Sequence, residues 1–366
     1  MDGLLGSLVV AWVASFAICL LLIATKSHHG HLSMDSAIGV QKIHEAPTPR
    51  VGGVAVAGGL LVGLALAAPV ARAVLVPMLL AAIPAFVIGL WEDVTKRVRV
   101  RTRLAITLTS GLLAWFITGV SLTRVNVPGV DLVLASIVPV SVLFTAFAVT
   151  GAANAFNIID GFNGLSSGVA IVCLSALAAI AAQAGDVAIV QACAFVGVAA
   201  LGFLLVNFPW GKIFLGDGGA YLLGFLIGWI AVWLPMRNPG ISVWATLLAC
   251  AYPILETGFS IWRRSRRDRS PGDADRLHLH SLVQRRVVSK FLPQSSGLMR
   301  NSLTGSLMWC AALVPAVLAT RYPGNSLMLA ISFGLCALGY SALYARLTQF
   351  RWCFRPATLA AETSAA

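Results

Sequence analysis

The stretch Asn154-Ala155-Phe156-Asn157-Ile158-Ile159-Asp160-Gly161-Phe162-Asn163-Gly164-Leu165 sets one carboxylate, three carboxamides and two glycines between two long apolar segments. Those segments, near 131–150 and 165–184, each have roughly the 20 predominantly apolar residues that a spanning helix needs. Polar groups are costly at the edge of a bilayer and mark function there.

Working outward, the same hydropathy recurs along the chain. About eleven spans are expected, near 4–25, 52–70, 72–91, 104–122, 131–150, 165–184, 187–206, 218–236, 242–262, 302–320 and 326–345. The 366 residues are 58% hydrophobic and 11% charged, whereas about a quarter of a soluble domain is charged. The expectation is an all-α, polytopic membrane protein. The apolar runs are continuous rather than alternating, which argues against a β-barrel. A single integral-membrane domain is expected over 1–350, with 351–366 a cytoplasmic tail lacking fixed structure. The first run does not read as a signal peptide, because its leading residues carry Asp2 and no Lys or Arg. The seven cysteines form no CxxC pair and read as small buried hydrophobes.

Basic residues are unevenly placed. The loops 26–51, 92–103, 151–164, 207–217 and 263–301 and the C-terminal tail hold all 26 Lys and Arg except Arg72, Arg124, Arg237 and Arg321. By the positive-inside rule these loops are cytoplasmic, so the N-terminus is periplasmic and the C-terminus cytoplasmic. The polar clusters lie in the same loops. A transporter needs its site near the midplane and access from both faces. Only Glu256 offers a carboxylate well inside a span, and it is read chiefly as a structural or supporting group.

The inner loops hold the candidate site. In the first, Lys42, His44 and Arg50 can donate to phosphate oxygens, or anchor the loop to anionic lipid. Gly52-Gly53 at the start of the second span indicates close helix packing. In the second loop, Glu92-Asp93 sits at a helix C-terminus, where the dipole disfavours negative charge. A cation, either a metal or Lys96, should offset it. Arg97, Arg99, Arg101 and Arg103 read in part as topology anchors. In the third, Asn154 precedes Asn157 and Asp160, which share a face if the segment is helical. In the fourth, Asp217 lies among glycines, as a ligand for a hard cation such as Mg²⁺ or as the N-cap of the next helix. In the fifth, a run of arginines from Arg263 to Arg269 follows a span directly, so lipid contact explains it better than nucleic acid does. Read as extended chain, Arg276, His278 and His280 face one way and Leu277 and Leu279 the other. Such a row suits a diphosphate, and zinc lacks further ligands at the right spacing.

Together these segments resemble the polyprenyl-phosphate N-acetylhexosamine-1-phosphate transferases. The ordered set is Lys-x-His-x-x-Pro-x-Pro-Arg-x-Gly-Gly from Lys42, the acidic pair Glu92-Asp93, Asn-x-x-Asn-x-x-Asp-Gly-x-x-Gly-Leu from Asn154, Gly-Asp-x-Gly from Gly216, and His278-x-His280. The resemblance covers about 40–285. It implies that a membrane polyprenyl (undecaprenyl) phosphate attacks the β-phosphate of a UDP-N-acetylhexosamine, giving polyprenyl-diphospho-sugar and UMP. Mg²⁺ would be required, with Mn²⁺ as a substitute. It further implies catalytic roles for Asp93, Asp160 and Glu92, and a metal role for Asp217. Lys42, His44, Arg50, Asn154, Asn157, Arg276, His278 and His280 would bind substrate. The site would face the cytoplasm from a bacterial inner membrane, and the protein could form a homodimer. Glu92 stands where the family usually has Asp, and Ser281 where a further His is common. His-x-His is closer to the O-antigen-initiating branch than to the lipid I branch. A lipid-linked sugar transporter or flippase, and an inactive scaffold for the lipid carrier, are the alternative readings.

Overall fold

The computed structural model describes residues 2–35, 47–266 and 277–349. In chain order the helices are α1 (Asp2–Ala24), α2 (Lys26–Ser33), α3 (Gly52–Leu66), α4 (Pro69–Thr95), α5 (Val100–Thr118), α6 (Val130–Ser136), α7 (Val138–Ile159), α8 (Leu165–Gln183), α9 (Val187–Asn207), α10 (Gly216–Arg237), α11 (Val243–Ala249), α12 (Ala251–Ser265), α13 (Leu279–Val283), α14 (Ser289–Phe291), α15 (Gly297–Arg321) and α16 (Ser326–Thr348). A two-residue antiparallel pair, β1 (Met34–Asp35) with β2 (Thr48–Pro49), is the extended structure among the described residues. The tail 351–366 lies outside them.

Nine of these helices are long and apolar enough to cross a membrane: α1, α4, α5, α7, α8, α9, α10, α15 and α16. The other two expected spans are helical but differ in form. α3 has 15 residues, about 22 Å of helix against a hydrocarbon layer of about 30 Å. It stops short because Pro69 opens α4, and a proline disfavours helix at the residue before it. Arg72 is therefore a residue of α4 rather than of a loop. Its guanidinium donates back to the Leu64 and Ala65 carbonyls at the end of α3, at 3.2 and 2.6 Å. The span near 242–262 divides at Cys250 into α11 and α12. Pro253, three residues later, lacks an N–H and its ring crowds the carbonyl of residue 249.

The span expected at 131–150 is displaced. Pro139 starts a fresh helix, so α6 ends at Ser136 and α7 runs to Ile159. Asn154 and Asn157 thus ride on the last turns of α7, not in a loop. Asn154 keeps its side chain local, donating from Nδ2 to the Thr150 carbonyl at 2.9 Å.

α10 is the centre of the bundle. It is apolar on every side, as a fully enclosed helix must be, and only Ala231, Met236 and Arg237 escape burial. It packs against α4, α7 and α3. Outer helices carry apolar side chains such as Phe116, Leu132 and Leu327 on the surface, which suits contact with lipid rather than water.

Candidate active site

The site is built around the first turn of α10. Four N–H groups at a helix start have no partner inside the helix, and here another helix supplies the acceptor. Asp93, in the last turn of α4, takes the Asp217 N–H on Oδ1 at 2.8 Å and the Gly218 N–H on Oδ2 at 2.9 Å. Asp93, not Asp217, is therefore the cap of this helix. The approach is so close that a Cβ on Gly89 would lie 2.6 Å from the Asp217 carbonyl carbon. Gly216 enters the helix at φ +77°, a conformation that favours glycine.

The first loop is tied to the same turn. Phe214 N–H donates to Pro49 O, Gly52 N–H to Phe214 O and Gly53 N–H to Leu215 O, each at 2.8 Å. The close packing expected of Gly52-Gly53 is present: a Cβ on Gly53 would sit 2.3 Å from the Gly219 nitrogen. Neither backbone can yield easily. Gly53→Ala is therefore expected to lower stability by about 1–3 kcal/mol, read as a lower unfolding midpoint in detergent. An unchanged midpoint would show that α3 and α10 separate freely.

Arg50 and Arg103 converge on the Asp217 carboxylate, which is 3% exposed. Arg50 pairs through Nη2 with Asp217 Oδ1 and through Nε with Asp93 Oδ1, the latter at 3.3 Å. Arg103, on α5, reaches Asp217 Oδ2 from Nη1 at 2.5 Å. Arg103, expected in part as a topology anchor, stands against the central carboxylate. The cation that offsets Asp93 is Arg50 and not Lys96, whose Nζ donates to the Met34 carbonyl at 2.7 Å. Glu92 turns elsewhere, accepting the Val98 N–H on Oε2 at 2.7 Å.

Asp160 lies just past α7, with its N–H on the Asn157 carbonyl at 3.3 Å. Its carboxyl is pushed up to about 7. Loss of hydration is the main cause and the charge of Asp217 adds to it, while Arg50 and the Gly216 N–H oppose the rise. The turn after it is locked by amides. Asn163 N–H donates to Asn301 Oδ1 at 2.7 Å, Gly164 N–H to Asn207 Oδ1 at 2.6 Å, and Trp309 Nε1 to Gly164 O at 2.9 Å. Asn163 is thus a structural member of its motif.

The histidines close the other side. His278 and His280 stack with centroids 5.2 Å apart and ring planes 12° apart. His280 meets Phe162 edge-on at 5.5 Å, and a Cβ on Gly161 would be 3.6 Å from His280 Nε2. The segment is not extended beyond His278, because α13 begins at Leu279. The rings still pair because His278 keeps a β conformation as the N-cap. Lys42, His44 and Arg276 lie outside the described residues.

Among the described residues no three His, Cys, Asp or Glu side chains form a metal cage. Asp217 and Asp160 nevertheless offer hard carboxylate oxygens. Mg²⁺ suits such a set, since it takes one or two carboxylates and fills the rest with phosphate and water.

Residues 75–235 match the family described as glycosyl transferase family 4. Over 245 residues the chain is 26% identical to the "Probable undecaprenyl-phosphate N-acetylglucosaminyl 1-phosphate transferase" of Bacillus subtilis (strain 168), covering 66% of each chain. It is 32% identical over 152 residues to the undecaprenyl-phosphate alpha-N-acetylglucosaminyl 1-phosphate transferase of Yersinia pestis, covering 40% of this chain and 42% of that one. The Salmonella typhi protein of the same name is 29% identical over 252 residues, 67% of each. The matched stretches thus span less than two thirds of the first two relatives. The family match runs from α4 through the Asp160 turn to α10, the elements that carry Asp93, Asp160 and Asp217. Over this stretch the chain is similar to glycosyl transferase family 4, and over longer stretches to the undecaprenyl-phosphate N-acetylglucosaminyl 1-phosphate transferases.

Proposed function

We propose that the chain transfers N-acetylhexosamine 1-phosphate from a UDP-sugar to a membrane polyprenyl phosphate, the initiating step of a surface polysaccharide. An oxygen of the acceptor phosphate attacks the β-phosphorus of the donor. The bond from that phosphorus to the bridging oxygen breaks, and UMP leaves with the electron pair. The observation that carries this reading is the convergence of Arg50, Asp93, Arg103, Asp160, Asp217 and the His278–His280 pair at one end of the bundle.

The physical problem is that two anions must meet. Unit charges about 5 Å apart repel by roughly 3 kcal/mol at an effective dielectric of about 20, and several such pairs exist here. Arg50 and Arg103 are placed to offset that charge and orient the diphosphate. Asp217 and Asp160 would hold Mg²⁺, which when bound screens the phosphate oxygens and stabilises the leaving group. Asp93 acts by positioning: both its oxygens already accept backbone N–H groups at the start of α10. His278 and His280 face the donor's phosphates or sugar. The basic loops support a site on the cytoplasmic face of a bacterial inner membrane. Glu256, on which a transport route would depend, is engaged with His278.

The test is to give membranes carrying the protein several UDP-N-acetylhexosamines, undecaprenyl phosphate and Mg²⁺, and to identify the nucleotide released. UMP and a lipid-diphospho-sugar are expected. Release of UDP, or transport of a labelled lipid-linked sugar without any nucleotide product, would exclude this chemistry.

A further inference from the structure

One face of α12 forms a support behind the histidines. Tyr252, Glu256, Ser260 and Arg263 follow at spacings of four, four and three residues, so they line one stripe of the helix. All four are buried. Arg263 Nη1 donates to the Leu277 carbonyl at 2.5 Å and to the Tyr344 hydroxyl at 2.6 Å, and Nη2 to Ser260 Oγ at 3.3 Å. Glu256 Oε1 lies 2.9 Å from His278 Nδ1, and both its oxygens lie 3.2 Å from the Leu279 nitrogen, which donates to them. The Tyr252 hydroxyl is 3.4 Å from His280 Nδ1. A single helix face therefore holds the backbone on both sides of His278 and touches both imidazoles.

Glu256 is 1% exposed. A carboxylate at such a place is strongly destabilising unless it is paired and hydrogen-bonded. It has no proton to give, so the hydrogen between it and His278 rests on Nδ1. Fixing one ring nitrogen sets the tautomer and the direction of the other. Nε2 of His278 is thereby turned away from α12, while the ring stays stacked on His280, whose own Nε2 borders the Gly161 turn beside Asp160.

We propose that Glu256 is a positioning residue for the sugar-nucleotide site. From inside α12 it holds His278 as the Nδ1–H tautomer and directs its Nε2 edge, paired with His280, at the phosphates of the donor. This rests on the transferase reading for the identity of the ligand; the hold on the ring does not.

The experiment uses full-length protein in membranes and compares wild type, Glu256→Gln, His278→Asn and the double variant. Glu256→Gln keeps the shape and an acceptor but removes the charge. Removing the carboxylate partner of a metal-bound histidine typically costs about 10- to 100-fold, and the same loss of ring orientation applies to His278. UMP release is expected to fall within that range, with KM rising for the UDP-sugar and unchanged for the polyprenyl phosphate. The double variant should be no worse than His278→Asn alone. Losses that multiply in the double variant, or equal KM shifts for both substrates, overturn the proposal. A readout independent of turnover is nitrogen-15 NMR of histidine-labelled protein, with His278 assigned by its disappearance in His278→Asn. The Nδ1–H form is expected in wild type, giving way to a mixture of tautomers in Glu256→Leu. The same tautomer in both overturns the inference, even if wild type releases no UMP and the transferase reading itself has failed.

Discussion

Asp217→Asn is expected to reduce UMP release by about 100- to 1,000-fold, the scale seen when one charge-stabilising group is removed from a preorganised site, while the bundle stays folded. The carboxylate stands between Arg50 and Arg103, one oxygen to each. Asparagine offers a single acceptor oxygen and would turn an NH₂ group toward one guanidinium. It also removes the charge that a divalent ion would need. The fold is protected because α10 is held at its start through the backbone N–H groups of residues 217 and 218, which accept no change from the side chain. The check is an initial-rate series over Mg²⁺ concentration, together with an unfolding midpoint from tryptophan fluorescence. A rate within tenfold of wild type with a much lower midpoint would make Asp217 a charge hub for folding instead of a part of the chemistry.

The sequence revealed the class of fold because membrane helices follow from composition over about twenty residues. All eleven expected segments are helical, but their ends depended on features that hydropathy averages away. Pro139 moved the start of α7, and the polar Asn154 and Asn157 looked like loop although they sit on a helix. Pro253 and Pro69 explain the broken and shortened spans, and neither is visible as a loss of apolar character. In the site, the residue types were legible and the pairings were not. Glu92 and Asp93 are adjacent in the chain, yet only Asp93 points at α10; helical geometry separates neighbours by about 100°, and nothing local says which faces the partner. Arg103 was hidden among four other basic residues of its loop. Its signal was position, since it follows the Val100 helix start by one turn and so is carried inward on α5. Glu256 was conspicuous as a carboxylate within an apolar span, but its partner lies 22 residues away in the chain.

The adjacent acids should separate cleanly on substitution. Asp93→Ala leaves the Asp217 and Gly218 N–H groups without acceptors in a place where Asp93 is 1% exposed. Each orphaned buried donor costs about 1–3 kcal/mol, so the pair costs about 2–6 kcal/mol. Asp93→Asn is not a mild change either, because its NH₂ would confront one of those donors. Both variants should therefore lower the unfolding midpoint, unlike Asp217→Asn. Activity should fall by about 100-fold or more, since a misplacement of about 1 Å at the reacting centre has that effect and the freed first turn of α10 carries Asp217. Glu92→Gln should behave differently. Its hydrogen-bond acceptor role toward the Val98 N–H is one a glutamine oxygen can still fill, and its influence on Arg103 is through charge alone, so rate and midpoint should stay within a few-fold and a few degrees of wild type, the range of an ordinary surface change. The measurement is the same pair of readouts on all three variants. If Glu92→Gln loses activity as Asp93→Asn does, with its midpoint intact, then the first acid of the pair works on substrate, and the departure from the usual Asp-Asp conserves a chemical role rather than a turn.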